Sequence, residues 1–323
     1  MKILYITKFF PPEYGGIETL SKNICDFFHN KKKKIEVISF SKKKTYVSKK
    51  NIYKVNFFKP IFSLFSTPIS FSIIIFLYKN YRKYDYIHVH TPNPLIELCL
   101  ILLPIKKLVV SWGSDIINQK TLKFFFNPVQ YCLLKKSKKI ICLSKNYFNY
   151  SKELKPFSYK TVIIPPLIKK RKSKQIHYSK NNKEINLVTV GRLVNYKGHH
   201  IGVRAMNFLP KNYQLNIVGD GANKEKLLNQ ISQLNLKNRI RLFDKANDEA
   251  KKKILKKSSI FLMCSTSRAE SFGIAILEAI SYGLPLIISN VKGSGMNDMI
   301  RDNYNGYKFK NLSSIDCSKK ILK

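Results

Sequence analysis

The chain has 323 residues, of which 44% are hydrophobic, enough for two cores of about 150 residues each. Its 59 Lys and Arg against 19 Asp and Glu give a net charge of +40, so an anionic partner is expected. Nucleic acid and an anionic membrane surface both fit that charge, but no zinc-finger spacing, RNP-like aromatic motif or helix-turn-helix favours nucleic acid, which is not expected. Cys25, Cys99, Cys132, Cys142, Cys264 and Cys317 lie mainly among apolar neighbours without a CxxC pair, and read as reduced core residues of a cytosolic protein.

A strand is predicted at Lys2 to Thr7, with no signal peptide before it. KFFPPEYGGIETLSKNICDFF follows as a Pro-rich loop, a glycine pair and an amphipathic helix. Gly15 and Gly16 at this strand-to-helix turn are either a plain turn or a place where backbone approaches a ligand and leaves amides for phosphate. The basic runs Lys31 to Lys34 and Lys42 to Lys44 flank a strand at Ile35 to Phe40, and are either solvated surface or contacts for membrane phosphates. Ile61 to Tyr78, IFSLFSTPISFSIIIFLY, is near the minimum length for a membrane span, but Pro68 and the Ser and Thr residues favour a buried or interfacial helix.

YDYIHVHTPNP, from Tyr84 to Pro94, is a strand ending in a polar turn, with His88 and His90 on one side of it. They are structural or site residues; no further ligands are spaced to make a metal site with them. LVVSWGSDI, from Leu108, is a strand ending at Gly113 and Asp115, and Asp115 either caps the next helix or faces a ligand. Strands at Lys139 to Leu143 and Thr161 to Ile164 complete a first domain, 1–168. The basic stretch 169–184 reads as a linker, and a second domain spans 185–323.

That domain opens with INLVTVGRLVNYKGHH, whose Arg192 and Lys197 stand where a helix begins. They are either ordinary surface cations or a clamp for a diphosphate, Arg by its planar fork and Lys as a point charge. A strand at Tyr213 to Val218 runs into the Gly-rich GDGANKEKL, and Asn247 to Lys257 is a basic helix. The strand Ser259 to Cys264 then feeds STSRAESFGIAILEAISYGLPLIIS, which carries Glu270 in a loop and Glu278 in an apolar helix. A carboxylate in such surroundings must accept hydrogen bonds, from protein or from ligand hydroxyls. Strand, glycine turn and helix recur through both halves, the pattern of two doubly wound parallel sheets.

ESFGIAILEAISYGLPLI, GRLVNYKG and PPEYGGIE together resemble the retaining, nucleotide-sugar-dependent glycosyltransferases of group 1, family 4 type. The resemblance implies the α/β GT-B fold, two Rossmann-like domains facing across a cleft, and covers most of the chain. It implies transfer of a hexosyl unit from a nucleotide diphosphate sugar to a glycan or polyprenyl-linked saccharide in surface polysaccharide or lipopolysaccharide biosynthesis. The protein is then expected to be peripheral on the cytoplasmic face of the membrane. The donor is a substrate, and no cofactor or metal is implied.

The resemblance assigns Arg192 and Lys197 to the leaving diphosphate, Glu270 to sugar hydroxyls and Glu278 to the ribose. Gly15, Gly16, Ser271, Phe272, Gly273 and Ile274 complete the donor side. His90 joins Glu270, Arg192 and Lys197 as a catalytic candidate, and Glu18, Trp112 and Asp115 fall on the acceptor side. Trp112 stands where relatives carry His, and the C-terminal helices of relatives are shortened here. A sugar-nucleotide epimerase of the same architecture and a degenerate, non-catalytic sugar-nucleotide-binding protein are the alternatives.

Overall fold

The computed structural model describes all residues except 14, 42–43, 49–51, 65–66, 117–119, 167–183 and 245; the linker read at 169–184 lies almost wholly outside the described residues. The chain divides into two compact units, Met1–Leu167 and Ile168–Lys323.

The first unit is built on β1 (Lys2–Ile6), β2 (Lys34–Phe40), the short β3 (Tyr46–Ser48) and β4 (Lys54–Phe58). A hairpin of β5 (Phe62–Leu64) and β6 (Thr67–Ile69) stands apart, and β7 (Tyr86–Thr91), β8 (Leu108–Trp112), β9 (Lys139–Cys142) and β10 (Thr161–Ile163) follow. The strand order is β10-β9-β8-β7-β1-β2-β4-β3, parallel except where β3 runs against β4. The helices are α1 (Gly16–Asn30), α2 (Phe71–Asn80), α3 (Pro94–Leu102), α4 (Lys120–Lys136) and α5 (Lys145–Tyr150).

The path from β4 through β7 and β8 to β9 steps along the sheet in one direction, and β1 to β2 in the other. Right-handed crossovers therefore put α2, α3 and α4 on one face and α1 on the opposite one. The buried side chains agree: Leu4 and Ile38 pack with Ile73, Ile96 and Leu133, while Ile3 and Val37 pack with Cys25 of α1. Lys136 at the end of α4 donates to the Leu100 and Ile101 carbonyls at 2.9 and 2.7 Å, placing a cation on the negative end of α3.

Two expectations need correction here. Ile61 to Tyr78 is not one helix: it is the β5–β6 hairpin, with Pro68 in β6, followed by most of α2. An uncharged run with scattered Ser and Thr gives no clear period to separate strand from helix, and Pro68 cannot sit within a helix interior without costing a hydrogen bond. Among the described residues no helix is long and apolar enough to cross a membrane. Cys132, read as a core residue, is exposed on α4.

The second unit is a parallel sheet of β11 (Ile185–Val190), β12 (Tyr213–Val218), β13 (Ile240–Phe243), β14 (Ile260–Met263), β15 (Leu286–Asn290) and β16 (Gly306–Lys310). Its helices are α6 (His199–Ala205), α7 (Lys224–Gln233), α8 (Asp248–Lys257), α9 (Ile274–Ser281) and α10 (Ser314–Leu322). The order is β13-β12-β11-β14-β15-β16. From β11 the chain winds out through β12 to β13, then returns to β14 on the other side of β11. The sheet thus reverses between β11 and β14, the place where loops diverge and open α/β sheets bind ligands.

Candidate active site in the second unit

The sequence candidates of this unit follow the two strands that flank the reversal. Gly191, Arg192 and Lys197 follow β11; Glu270 to Ile274 follow β14. Close backbone contact holds the loops there. Gly198 is left-handed at φ 65°, and a Cβ on it would meet the Cys264 carbonyl oxygen at 1.9 Å. The Thr266 N–H donates to the Tyr196 carbonyl at 2.7 Å. Only glycine combines that backbone angle with that approach.

Lys197 projects from a single 3-10 turn, Asn195–Lys197, with its stem along Gly191. Its Nζ forms an ion pair with Glu270 Oε2, the two side chains being 12% and 10% exposed. Among the described residues no other donor bonds that oxygen. Arg192 is exposed, and its Nη2 donates to the Tyr196 hydroxyl at 3.2 Å.

His199, which the sequence reading passed over, is buried behind this turn. Its Nε2 lies 3.3 Å from the Arg192 carbonyl and its Nδ1 3.5 Å from Thr189 Oγ1. Burial, with Lys197 nearby, brings its pKa down to about 4, so the ring is neutral at pH 7. The His immediately after the KG pair was the only signal available.

Glu270 sits in a turn, its N–H bonded to the Ser267 carbonyl at 3.1 Å. The Ser294 hydroxyl donates to the Glu270 carbonyl at 2.5 Å, and the Gly295 N–H to the Ser271 carbonyl at 2.8 Å. Phe272 and Gly273 are buried, and Gly273 enters α9 at φ 83°. Ile274 opens α9, whose first-turn amides have no acceptor within the helix.

Glu278 lies on α9 with its side chain 25% exposed. Lys251 of α8 donates to its Oε1 at 2.9 Å and reaches Asp248 Oδ1 at 3.3 Å. Burial pulls the Lys251 ammonium down, but Glu278 and Asp248 outweigh it and leave its pKa raised. The carboxylate therefore has a protein partner and keeps an open side. Sequence reading placed Lys251 only within a basic helix; nothing in its spacing marks it as a partner of Glu278.

The first unit holds the remaining candidates at the C-terminal ends of its strands. Gly15 and Gly16 are exposed at the start of α1, where a Cβ on Gly15 would fall 2.1 Å from Glu18 Oε2. His88 is buried and bonded to Ser111 at 2.7 Å. His90 is also buried, lies against the Gly113 backbone, and among the described residues has no hydrogen-bond partner at either ring nitrogen. Burial lowers its pKa to about 4. Trp112 is 1% exposed and its Nε1 donates to Asp115 Oδ1 at 2.8 Å. That oxygen also accepts from Ser151 at 2.8 Å, and the Asp115 N–H donates to the Tyr147 hydroxyl at 2.6 Å. Trp112 and Asp115 thus brace the end of β8 against α5.

A family model for glycosyl transferases group 1 matches residues 170–323, and one for the glycosyl transferase 4-like group matches 9–144. The chain belongs to the group 1 glycosyltransferases. It is 28% identical over 314 residues to O-antigen chain mannosyltransferase C of Escherichia coli, covering 95% of this chain and 84% of that protein. It is 30% identical to D-rhamnosyltransferase WbpZ of Pseudomonas aeruginosa, over 72% of this chain and 62% of that one.

Among solved structures, that of Anabaena Alr3699/HepE with UDP-glucose superposes with a TM-score of 0.78 at 17% identity, covering all of this chain and 89% of that one. The apo lipopolysaccharide outer core galactosyltransferase WaaB does so at 0.72 and 18%, over 99% of this chain and 89% of that one. These likenesses show the GT-B fold of two Rossmann-like domains. This glycosyltransferase therefore carries Arg192, Lys197, Glu270 and Glu278 around the sheet reversal of its C-terminal domain.

Proposed function

We propose that the protein is a retaining glycosyltransferase that moves a hexosyl unit from a nucleoside diphosphate to a glycan or lipid-linked saccharide in surface polysaccharide biosynthesis. The observation that carries this reading is the Lys197–Glu270 pair, with Arg192 earlier in the same loop after β11, at the sheet reversal. In it, Arg192 and Lys197 take the charge that gathers on the diphosphate as the sugar–phosphate bond breaks. Glu270, with Ser271 and the amides of Phe272, Gly273 and Ile274, orients sugar hydroxyls and phosphate, and Glu278 takes the ribose. The electron pair of the broken bond stays with the diphosphate. The acceptor hydroxyl bonds the sugar carbon on the same face and gives its proton to a departing phosphate oxygen, with no protein nucleophile.

Gly15 and Gly16 are assigned to the diphosphate, His90 to the reacting centre, and the N-terminal domain to the acceptor. Lipid-linked acceptors are favoured by the relatives, among them an Escherichia coli protein described as UDP-Gal:alpha-D-GlcNAc-diphosphoundecaprenol alpha-1,3-galactosyltransferase, 28% identical over 75% of this chain and 67% of that one. Work on such acceptors implies an anionic membrane surface as a partner and a place on its cytoplasmic face.

The test is transfer from a panel of UDP- and GDP-sugars to a membrane extract, with the anomeric configuration of the product read by NMR. An inverted product removes the retaining mechanism. Conversion of donor in the absence of any acceptor removes transfer in favour of epimerisation.

A further inference from the structure

An amphipathic helix on a sheet turns one face inward and shows water a polar one. In the second unit α7 does so, exposing Glu225, Lys226 and Asn229, and α8 exposes Lys253 and Lys256. The layer formed by α2, α3 and α4 does not. α2 reads FSIIIFLYKN and α3 PLIELCLIL, apolar on every side, and the only acid of α3, Glu97, is turned fully inward. Ile73 and Leu77 of α2 and Ile96 and Leu100 of α3 bury the inner sides. The outer sides are left to water: Phe71, Ile75 and Tyr78 on α2, Leu98 and Leu102 on α3, and Phe124 and Phe125 on α4.

These side chains are far from marginal cases. Leu102, Phe124 and Tyr78 are 79%, 75% and 72% exposed. α3 touches both α2 and α4, and also β6, whose hairpin exposes Ile61 and Phe62. The apolar surface is thus continuous across one face, of a kind that soluble surfaces keep small.

Its charge selects the occupant. Between residues 59 and 136 the sequence has ten Lys and Arg against three acids, and two of those, Glu97 and Asp115, are buried. Lys79, Lys83, Lys106 and Lys135 are exposed at or just beyond the C-terminal ends of the three helices. A hollow of about 450 Å³ opens at that rim, lined by Tyr81, Arg82, Tyr84, Lys106 and Lys107, with Asp85 on its wall. Two copies placed face to face would oppose like charges, whereas an anionic bilayer matches both the apolar face and its cationic rim.

We propose that the outer face of α2, α3 and α4 is a membrane-docking surface that lies flat on an anionic bilayer, its aromatic and Leu side chains among the acyl chains and its Lys rim on the lipid phosphates. The proposal rests on the membrane partner named in the proposed function. It keeps the part of the Ile61 to Tyr78 stretch that forms α2, adds α3 and α4, and replaces the basic runs around β2 by the Lys rim of this layer; its test needs no sugar transfer.

Full-length protein is mixed with phosphatidylglycerol-containing or pure phosphatidylcholine vesicles at low and high salt, and the bound fraction is read by flotation. The wild type is expected to float with the anionic vesicles. Tyr78→Ser with Leu102→Ser, or Phe124→Ser with Phe125→Ser, is expected to lower binding about tenfold or more. Lys106→Gln with Lys107→Gln is expected to release the protein at lower salt. Unchanged thermal melts show that the variants are folded, and the Lys pair retains a readout should an apolar pair fail to fold. A wild type that ignores anionic vesicles at low salt overturns the proposal, as do apolar variants that bind like it. A concentration-dependent dimer lost in the same variants also overturns it, in favour of a second copy.

Discussion

Lys197 Nζ and Glu270 Oε2 form an ion pair, although they come from loops after two different strands, β11 and β14. In the proposed function the cation meets a diphosphate and the carboxylate a sugar, and the pair would orient both groups before ligand arrives. Such preorganisation matters because a group already in place has no reorganisation left to undergo in the transition state.

Arg192→Ala and Lys197→Ala are each expected to cost at least about 2 kcal/mol of transition-state stabilisation, read as a fall in kcat/KM of about thirtyfold. Near-normal turnover in both would remove the phosphate assignment. The pair also has a stability signature. Lys197→Met strands a buried carboxylate, so it is expected to destabilise more than Lys197→Met combined with Glu270→Gln, which removes the charge as well. Urea titration of both variants checks this.

Glu270 and Glu278 are expected to respond differently. Glu270→Gln is expected to impair transfer and leave the affinity for bare nucleotide near wild type, since its proposed contact is the sugar. Glu278→Gln weakens nucleotide binding by about tenfold, or about 1.4 kcal/mol. Lys251→Met is expected to act in the same direction with a smaller effect, since Lys251 holds Glu278 from the protein side at 2.9 Å. Calorimetric titration with UDP and GDP decides it, and unchanged affinity in Glu278→Gln rules out the ribose role.

Acid should weaken the fold through three buried imidazoles. Burial lowers the pKa values of His88 to about 3, and of His90 and His199 to about 4, from 6.5. Between those values and 6.5 the unfolded chain binds more protons, so their contribution is complete above pH 6.5 and is lost as pH falls towards 4. His90 alone accounts for on the order of 3 kcal/mol. Denaturant midpoints measured from pH 7 down to pH 4 are expected to fall, and to fall less steeply in His90→Gln.

Glu97 works in the opposite direction. Burial raises its pKa to about 7, with the Asn93 N–H and the Gln130 side chain pulling it back down. The folded state therefore holds its proton longer than the unfolded chain, and this group's contribution is complete below pH 4.5 and lost as pH rises towards 7. Glu97→Gln is expected to raise stability at pH 8 and change it little at pH 4.5. An equal change at both pH values would show that the gain has nothing to do with ionisation.

The alternation of elements was legible because strands such as Ile185–Val190 end in glycines that only a strand-to-helix turn requires. Glu270 and Glu278 were legible through the motif around them, and the need of Glu278 for a partner followed from its apolar neighbours. That the partner is Lys251 was not, because α8 and α9 are brought together by the sheet and by nothing in their own spacing. Trp112 and Asp115 are three residues apart, yet their bond depends on how β8 ends. Ile61 to Tyr78 divides into a hairpin and a helix that its pattern does not separate, because an uncharged run with scattered Ser and Thr carries no clear period, and hydropathy alone does not say which side water will see.

At Gly198 the loop that bears Lys197 meets the segment that leads to Glu270 backbone to backbone, with no room for a Cβ in front of the Cys264 carbonyl. At that point the distance between the cationic and acidic halves of the site is a peptide's thickness, set by backbone before the Thr266 hydroxyl and the Lys197–Glu270 pair add their bonds across it. Donor preference can drift through the residues around it while that spacing stays constant. A single added methyl at Gly198 would separate the two halves without touching either charge.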